Sequence, residues 1–189
     1  GKFPTRLPPI NKSPSLADNT NISYEEIFKS LESLNLSVYS PSSYLFPSRL
    51  AKYESKYGKR GKMGISLAGR EFGLKQLMAV NLLKRLESSV YSFRITTSKI
   101  LEQIQKAISA IDNYEKNKTY STYSDEIELD FDGELSDLIS AGGKYQLDFK
   151  DMDYRAWRVD LNTDKEILEH LLLEVSAITP EKDKKLQTL

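Results

Sequence analysis

The densest local charge in this chain runs from Arg49 to Arg85, where ten Lys and Arg residues meet only two acids, Glu54 and Glu71, an excess of eight positives. Lys52 and Lys56 stand four apart, which places them on one helical face, with Tyr53 and Tyr57 beside them. Lys59, Arg60 and Lys62 follow among Gly58, Gly61, Gly64 and Gly69, a stretch that reads as a mobile basic loop. Cations arrayed this way neutralise phosphates without reading bases, so Lys52, Lys56, Lys59, Arg60, Lys62, Lys84 and Arg85 are candidate contacts for a nucleic-acid backbone. Two other roles fit the same residues. They can be the solvated face of a helix, or they can pair with the acidic run that begins at Asp125 or with a neighbouring domain.

Other chemistry is poorly represented. No stretch has the form GxxxxGK[ST], and no paired acids stand ready to hold magnesium beside such a loop, so the chain by itself is not expected to hydrolyse ATP or to carry a cofactor or metal. Glu128, Asp130, Asp132 and Gly133 imitate the first half of a calcium loop, but Ile139 occupies the position that needs a bidentate glutamate. His170 is the only histidine and has no serine or base at a diagnostic spacing, which points to a surface or packed residue. Trp157, between Arg155 and Arg158, could stack a base, although covering the core is the commoner fate of such a residue. With no cysteine, disulfides, zinc knuckles and thiol nucleophiles are excluded. No catalytic residues are expected.

The elements that must position the basic residues read as helices. Residues 1–21 hold Pro4, Pro8, Pro9 and Pro14 among polar residues and are expected to be a flexible arm. Ser23 is a plausible N-cap, with Glu26 completing a capping box, for a helix from Tyr24 to about Asn35. The segment LSVYSPSSYLFPSRL is expected to be extended until a second helix begins at Pro47 and stops at Gly58. Leu74, Leu77, Met78, Leu82, Leu86, Val90, Phe93, Ile100, Ile104, Ile108 and Ile111 then recur at steps of mostly three and four. That pattern predicts a helix of about 40 residues that either forms a protruding antiparallel spine or breaks once, the places most open to a break being Ser88 and Ser89 or Thr96, Thr97 and Ser98. Residues 119–143 contain seven acids and no base, an acidic irregular segment with a possible strand at EIELDF that ends at Gly142 and Gly143. A last helix is expected from Thr163 or Asp164, burying Ile167, Leu168, Leu171, Leu172 and Val175 before Pro180.

The reading is therefore of a mainly α protein, an elongated helical bundle or antiparallel helical spine with minor short strands, residues 22–189 forming one domain. Basic and acidic residues balance at 27 each, so no global field draws the chain to nucleic acid or lipid. No stretch approaches the roughly 20 apolar residues that cross a bilayer, and a cytoplasmic protein without a membrane partner is expected.

The segment LMAVNLLKRLESSVYSF, Leu77 to Phe93, is preceded by PSRLAKYESKYGK and followed at the chain end by ITPEKDKKLQTL. Together these resemble bacterial superfamily 2 helicases of the SWI/SNF-like type, in the stretch between their two RecA-like ATPase lobes, over about Tyr24 to Leu189. The LLKRLESS string is the more specific part, and Asp183, Lys185 and Leu186 form a weaker element that in the family looks like the helix leading into the second lobe. The resemblance implies a parent that couples ATP hydrolysis to movement on double-stranded DNA, with ATP and magnesium held in lobes outside this fragment. Its implied partners are those lobes, in the same polypeptide, and DNA. Carry-over is confined to Leu82, Leu83, Lys84, Arg85, Leu86, Glu87, Ser88 and Ser89, and catalytic activity is not carried over to the fragment. The resulting expectation is a non-catalytic inter-lobe domain that braces the lobes and contacts the DNA backbone. The alternative is a helical protein-interaction scaffold that touches no DNA.

Overall fold

In the computed structural model the described residues are 24–58, 66–117, 122–124 and 146–176. Three long helices carry the fold: α3 (Leu67–Ser88), α4 (Val90–Asn117) and α5 (Tyr154–Ser176). Two shorter ones, α1 (Tyr24–Glu32) and α2 (Pro47–Tyr53), precede them, and β1 (Thr122–Ser124) pairs antiparallel with β2 (Gln146–Asp148). The protein is mainly α, as its periodicity predicts.

Spacing explains the packing. The fully buried row of α4 is Val90, Phe93, Thr97, Ile100, Ile104, Ala107 and Ile111, and that of α5 is Trp157, Leu161, Asp164, Leu168, Leu171 and Val175. Both rows step by three and four residues in alternation, the repeat that keeps one seam facing a partner helix along its whole length. Each fully buried Leu or Ile in these rows stabilises the fold by about 1.5–3 kcal/mol. The two helices run antiparallel, because Arg158, in the first turns of α5, pairs with Asp112 at 2.8 Å and Glu115 at 3.2 Å near the end of α4.

The predicted spine breaks at Ser89, which is extended (φ −162°, ψ 133°), while Thr96, Thr97 and Ser98 remain within α4. The Ser89 hydroxyl accepts the Tyr91 N–H at 3.2 Å, so the residue that ends α3 also caps α4. The first helix ends at Glu32, short of Asn35. The last helix begins nine residues before the expected Thr163, at Tyr154, because the Asp153 carboxylate accepts the Ala156 N–H at 3.0 Å and supplies an N-cap. Helix α2 also ends before Gly58 and passes into a single π-type turn, Glu54–Gly58. The expected strand EIELDF, the arm 1–21, the Ser23 cap and the half calcium loop lie outside the described residues.

Residues 36–46 differ most from expectation. They form two tight turns, Ser37–Tyr39 and Pro41–Tyr44, in which Leu36 to Ser42 are all buried against α3, α4 and α5. A buried irregular strand of chain must find partners for its N–H and C=O groups. Much of that need is met by carboxylates. Asp164 accepts the N–H groups of Asn35 (2.7 Å) and Ser37 (2.8 Å) and the Ser37 hydroxyl (2.7 Å). Leu36, in the left-handed region at φ 49°, turns the two N–H groups toward one anion, the geometry of a backbone nest. Glu71 accepts the N–H (3.1 Å) and hydroxyl (2.5 Å) of Ser42. Trp157 lies fully buried beneath, donating its Nε1–H to the Ser37 carbonyl at 3.0 Å, so it serves the core and is not available to stack on a base. At the exit, Phe46 N–H donates to Asp151 O at 3.0 Å, and Leu45 bridges to Met152.

Candidate nucleic-acid interface

The basic residues singled out by spacing fall at two places. Lys52 lies in the last turn of α2 and Lys56 in the π-type turn that follows it. Their tyrosine neighbours point inward: the Tyr53 hydroxyl accepts the Asp148 N–H at 3.1 Å and the Tyr57 hydroxyl accepts the Gln146 N–H at 3.2 Å. Residues four apart on the helix thereby meet residues two apart on β2. The match holds because about 6 Å of helix rise and about 6.6 Å of strand rise are nearly equal. The two rings stack at 6.4 Å, and each carries a lysine over its face, Lys52 at 4.9 Å and Lys56 at 5.0 Å.

The charge at this edge is not all free. Asp151, whose side chain is only 2% exposed, receives Lys52 Nζ at 2.7 Å, Arg49 Nε at 3.3 Å and the Tyr53 hydroxyl at 2.8 Å. The ammonium donated by Lys52 holds the Asp151 carboxyl below the usual carboxylate range despite its burial, and the same bond raises the Lys52 ammonium above its own. Burial pushes the Tyr53 hydroxyl up. Lys150 is likewise raised by its pairing with Asp148 at 2.8 Å. Lys52 is therefore half structural, while its side chain remains 55% exposed.

Glu54 closes this corner. Its carboxylate accepts the Leu67 N–H at 3.0 and 3.1 Å, satisfying the first turn of α3, and a β-carbon at Gly58 would overlap it. Lys59, Arg60 and Lys62, which lie between these two anchored ends, are outside the described residues.

Lys84 and Arg85 sit near the far end of α3, about 25 Å along the helix from Leu67. Lys84 is exposed and Arg85 half-buried, and neither makes an ion pair among the described residues. Lys52 and Lys56 thus form one group and Lys84 and Arg85 a second. His170 is at the surface, its Nδ1 3.4 Å from Glu174. Among the described residues no group of three or more His, Asp or Glu side chains is arranged to hold a metal ion, and no helix is long and apolar enough to cross a membrane.

Sequence reasoning missed Asp151, Asp164, Glu71 and Glu54, the carboxylates that hold this architecture. For two of them a signal exists: Glu71 and Asp164 fall in the apolar rows 67, 71, 74, 78 and 161, 164, 168, 171, where an acid has no reason to stand unless it meets a buried donor. Compared with models of known protein families, with curated proteins and with solved structures, the chain matches none.

Proposed function

We propose that this chain is a non-catalytic accessory domain of an ATP-driven, SWI/SNF-like DNA translocase, lying between its two RecA-like lobes and touching the DNA backbone with its basic groups. The observation that carries this reading is the division of labour within LLKRLESS. Leu82 and Leu86 are spent in the core, while Lys84, Glu87 and Ser88 stand exposed at the corner where α3 gives way to α4. The fold accounts for the leucines, and the exposed Lys84 serves a surface outside this domain's own core.

ATP and magnesium belong, in this reading, to the lobes. The domain's own part is rigid: α4 and α5 brace, and Lys52, Lys56, Lys84 and Arg85, with Lys59, Arg60 and Lys62 between them in sequence, supply phosphate contacts. A gel-shift titration of the chain on a duplex of about 30 base pairs tests it. Affinity should fall steeply as salt rises, and Lys84→Glu with Arg85→Glu should weaken binding tenfold or more and reduce the salt dependence. Absence of a shift in dilute buffer overturns the DNA contact. In the intact translocase the same double variant should lower DNA-stimulated ATP hydrolysis, and unchanged hydrolysis would refute the bracing role of this corner.

A further inference from the structure

A carboxylate holds a lysine by cancelling its charge, whereas an aromatic ring holds one and leaves the charge in place, because the ring attracts through its quadrupole and carries no net charge. The molecule has both arrangements. Lys52 lies over the Tyr53 ring at 4.9 Å but also meets Asp151 at 2.7 Å, and Arg155 lies over the Tyr154 ring at 5.9 Å but stands 3.9 Å from Glu115. Lys56 is different. It lies over the Tyr57 ring at 5.0 Å, is exposed, and makes no ion pair among the described residues.

The ring beneath Lys56 is fixed in place. Tyr57 is only 9% exposed, its hydroxyl accepts the Gln146 N–H at 3.2 Å, and its ring stacks on that of Tyr53 at 6.4 Å with the planes 13° apart. Tyr53 is anchored in turn, its hydroxyl accepting the Asp148 N–H at 3.1 Å and donating to the Asp151 carboxylate at 2.8 Å. The place of the Tyr57 ring is therefore set by β2 and by a stacked neighbour that is itself tied down. A lysine's flexible stem loses conformational freedom when its ammonium settles on a phosphate. One already resting on a fixed ring has less freedom to lose, which raises affinity by preorganisation.

We infer that Tyr57 is a positioning residue for phosphate contact: its ring presents the Lys56 ammonium, charge intact, to the backbone of a bound duplex. Lys56 rather than Lys52 is then the leading phosphate contact of this edge, since the Lys52 charge is shared with Asp151. Tyr53 acts one step further back, by holding the Tyr57 ring. This inference rests on the DNA-contact reading and adds to it which cation of the edge does the work and what holds it ready.

The test uses the whole chain and has two readouts, one of them free of DNA. In the isotope-labelled protein alone, the Lys56 side-chain methylene protons nearest the ammonium should lie upfield of ordinary lysine, shielded by the ring; Tyr57→Phe should keep that shift and Tyr57→Leu abolish it. On a duplex of about 30 base pairs in dilute buffer, Lys56→Gln should weaken binding and reduce the salt dependence by about one counterion. Tyr57→Leu should weaken binding about two- to fivefold, the size of an exposed cation–ring contact, and Tyr57→Phe should leave it unchanged. In the Lys56→Gln background Tyr57→Leu should have no further effect, whereas mere damage to the fold would weaken binding in both backgrounds alike. A Lys56 side chain with ordinary shifts, full affinity in Tyr57→Leu, or additive losses in the double variant would each overturn the inference while duplex binding by the wild type stands. A wild type that binds no duplex but keeps the shielded Lys56 overturns the DNA reading and this one with it, so the two failures leave different records.

Discussion

Asp164 and Asp151 are both buried carboxylates, the first anchoring the irregular segment between α1 and α2 and the second anchoring α2 itself, and they do so in opposite ways. Among the described residues Asp164 pairs with no cation. Two backbone N–H groups and one hydroxyl hold it, all from Asn35 and Ser37, in the centre of the fold. Asp151 lies just below the surface and draws in Lys52, Arg49 and Tyr53. The first arrangement turns a charge into a fixed acceptor for a buried turn, at a desolvation cost met by three short hydrogen bonds. The second consumes surface charge that composition alone counts as available for phosphates. A run of lysines is thus a poor measure of a free basic surface until the buried acids behind it are known.

The largest expected effect follows from the cation-free site. Asp164→Ala leaves two N–H groups and a hydroxyl without partners inside the core and should lower unfolding free energy by about 3 kcal/mol or more, measured by urea denaturation with Trp157 fluorescence as the local probe. A loss below about 1 kcal/mol would mean water reaches the nest, and the contrast with Asp151 would collapse.

Asp151→Asn should act less on stability and more on charge. It frees Lys52 and Arg49, so duplex affinity in the gel shift should rise by about threefold or more if the basic edge meets phosphate, the gain expected from one additional cation. Unchanged affinity would show that this edge plays no part in binding.

A smaller effect is pH-dependent. The Asp151 carboxyl is depressed in the folded chain, so its contribution to stability is complete above the ordinary carboxylate value and is lost as the pH falls through the lower folded value. Denaturation midpoints of wild type and Asp151→Asn should therefore converge as the pH is taken down through the carboxylate range, and a constant gap would refute the ion pair. Smallest is Gly73→Ala, which should raise stability by about 0.5–1 kcal/mol because the added methyl meets open space, detectable as a higher thermal midpoint.

Much of the fold was legible because helices announce themselves locally. The three-and-four spacing from Leu74 to Ile111 is enough to predict a long helical spine but leaves open whether it breaks, at Ser88 and Ser89 or at Thr96 to Ser98; the break falls at the first of these, where a serine caps the next helix. The early start of α5 was not legible from periodicity, since the apolar residues of Tyr154 to Asn162 fall at 154, 156, 157, 159 and 161, nearer to alternation than to a helical step, and the start depends on the Asp153 cap and on the burial of Trp157 and Leu161. Lys52 and Lys56 were recognisable as neighbours four apart, but their tyrosines' grip on β2 joins residues about ninety positions away, which no local spacing encodes.

The sequence by itself determined the helical class and the rows that bury, because backbone hydrogen bonding and side-chain period act within a few residues. Only the tertiary structure decided that residues 36–46 are core, that Asp164 is an acceptor for a nest, and that part of the basic strip is neutralised from beneath. Each of those depends on which distant donor meets a carboxylate once water has been excluded.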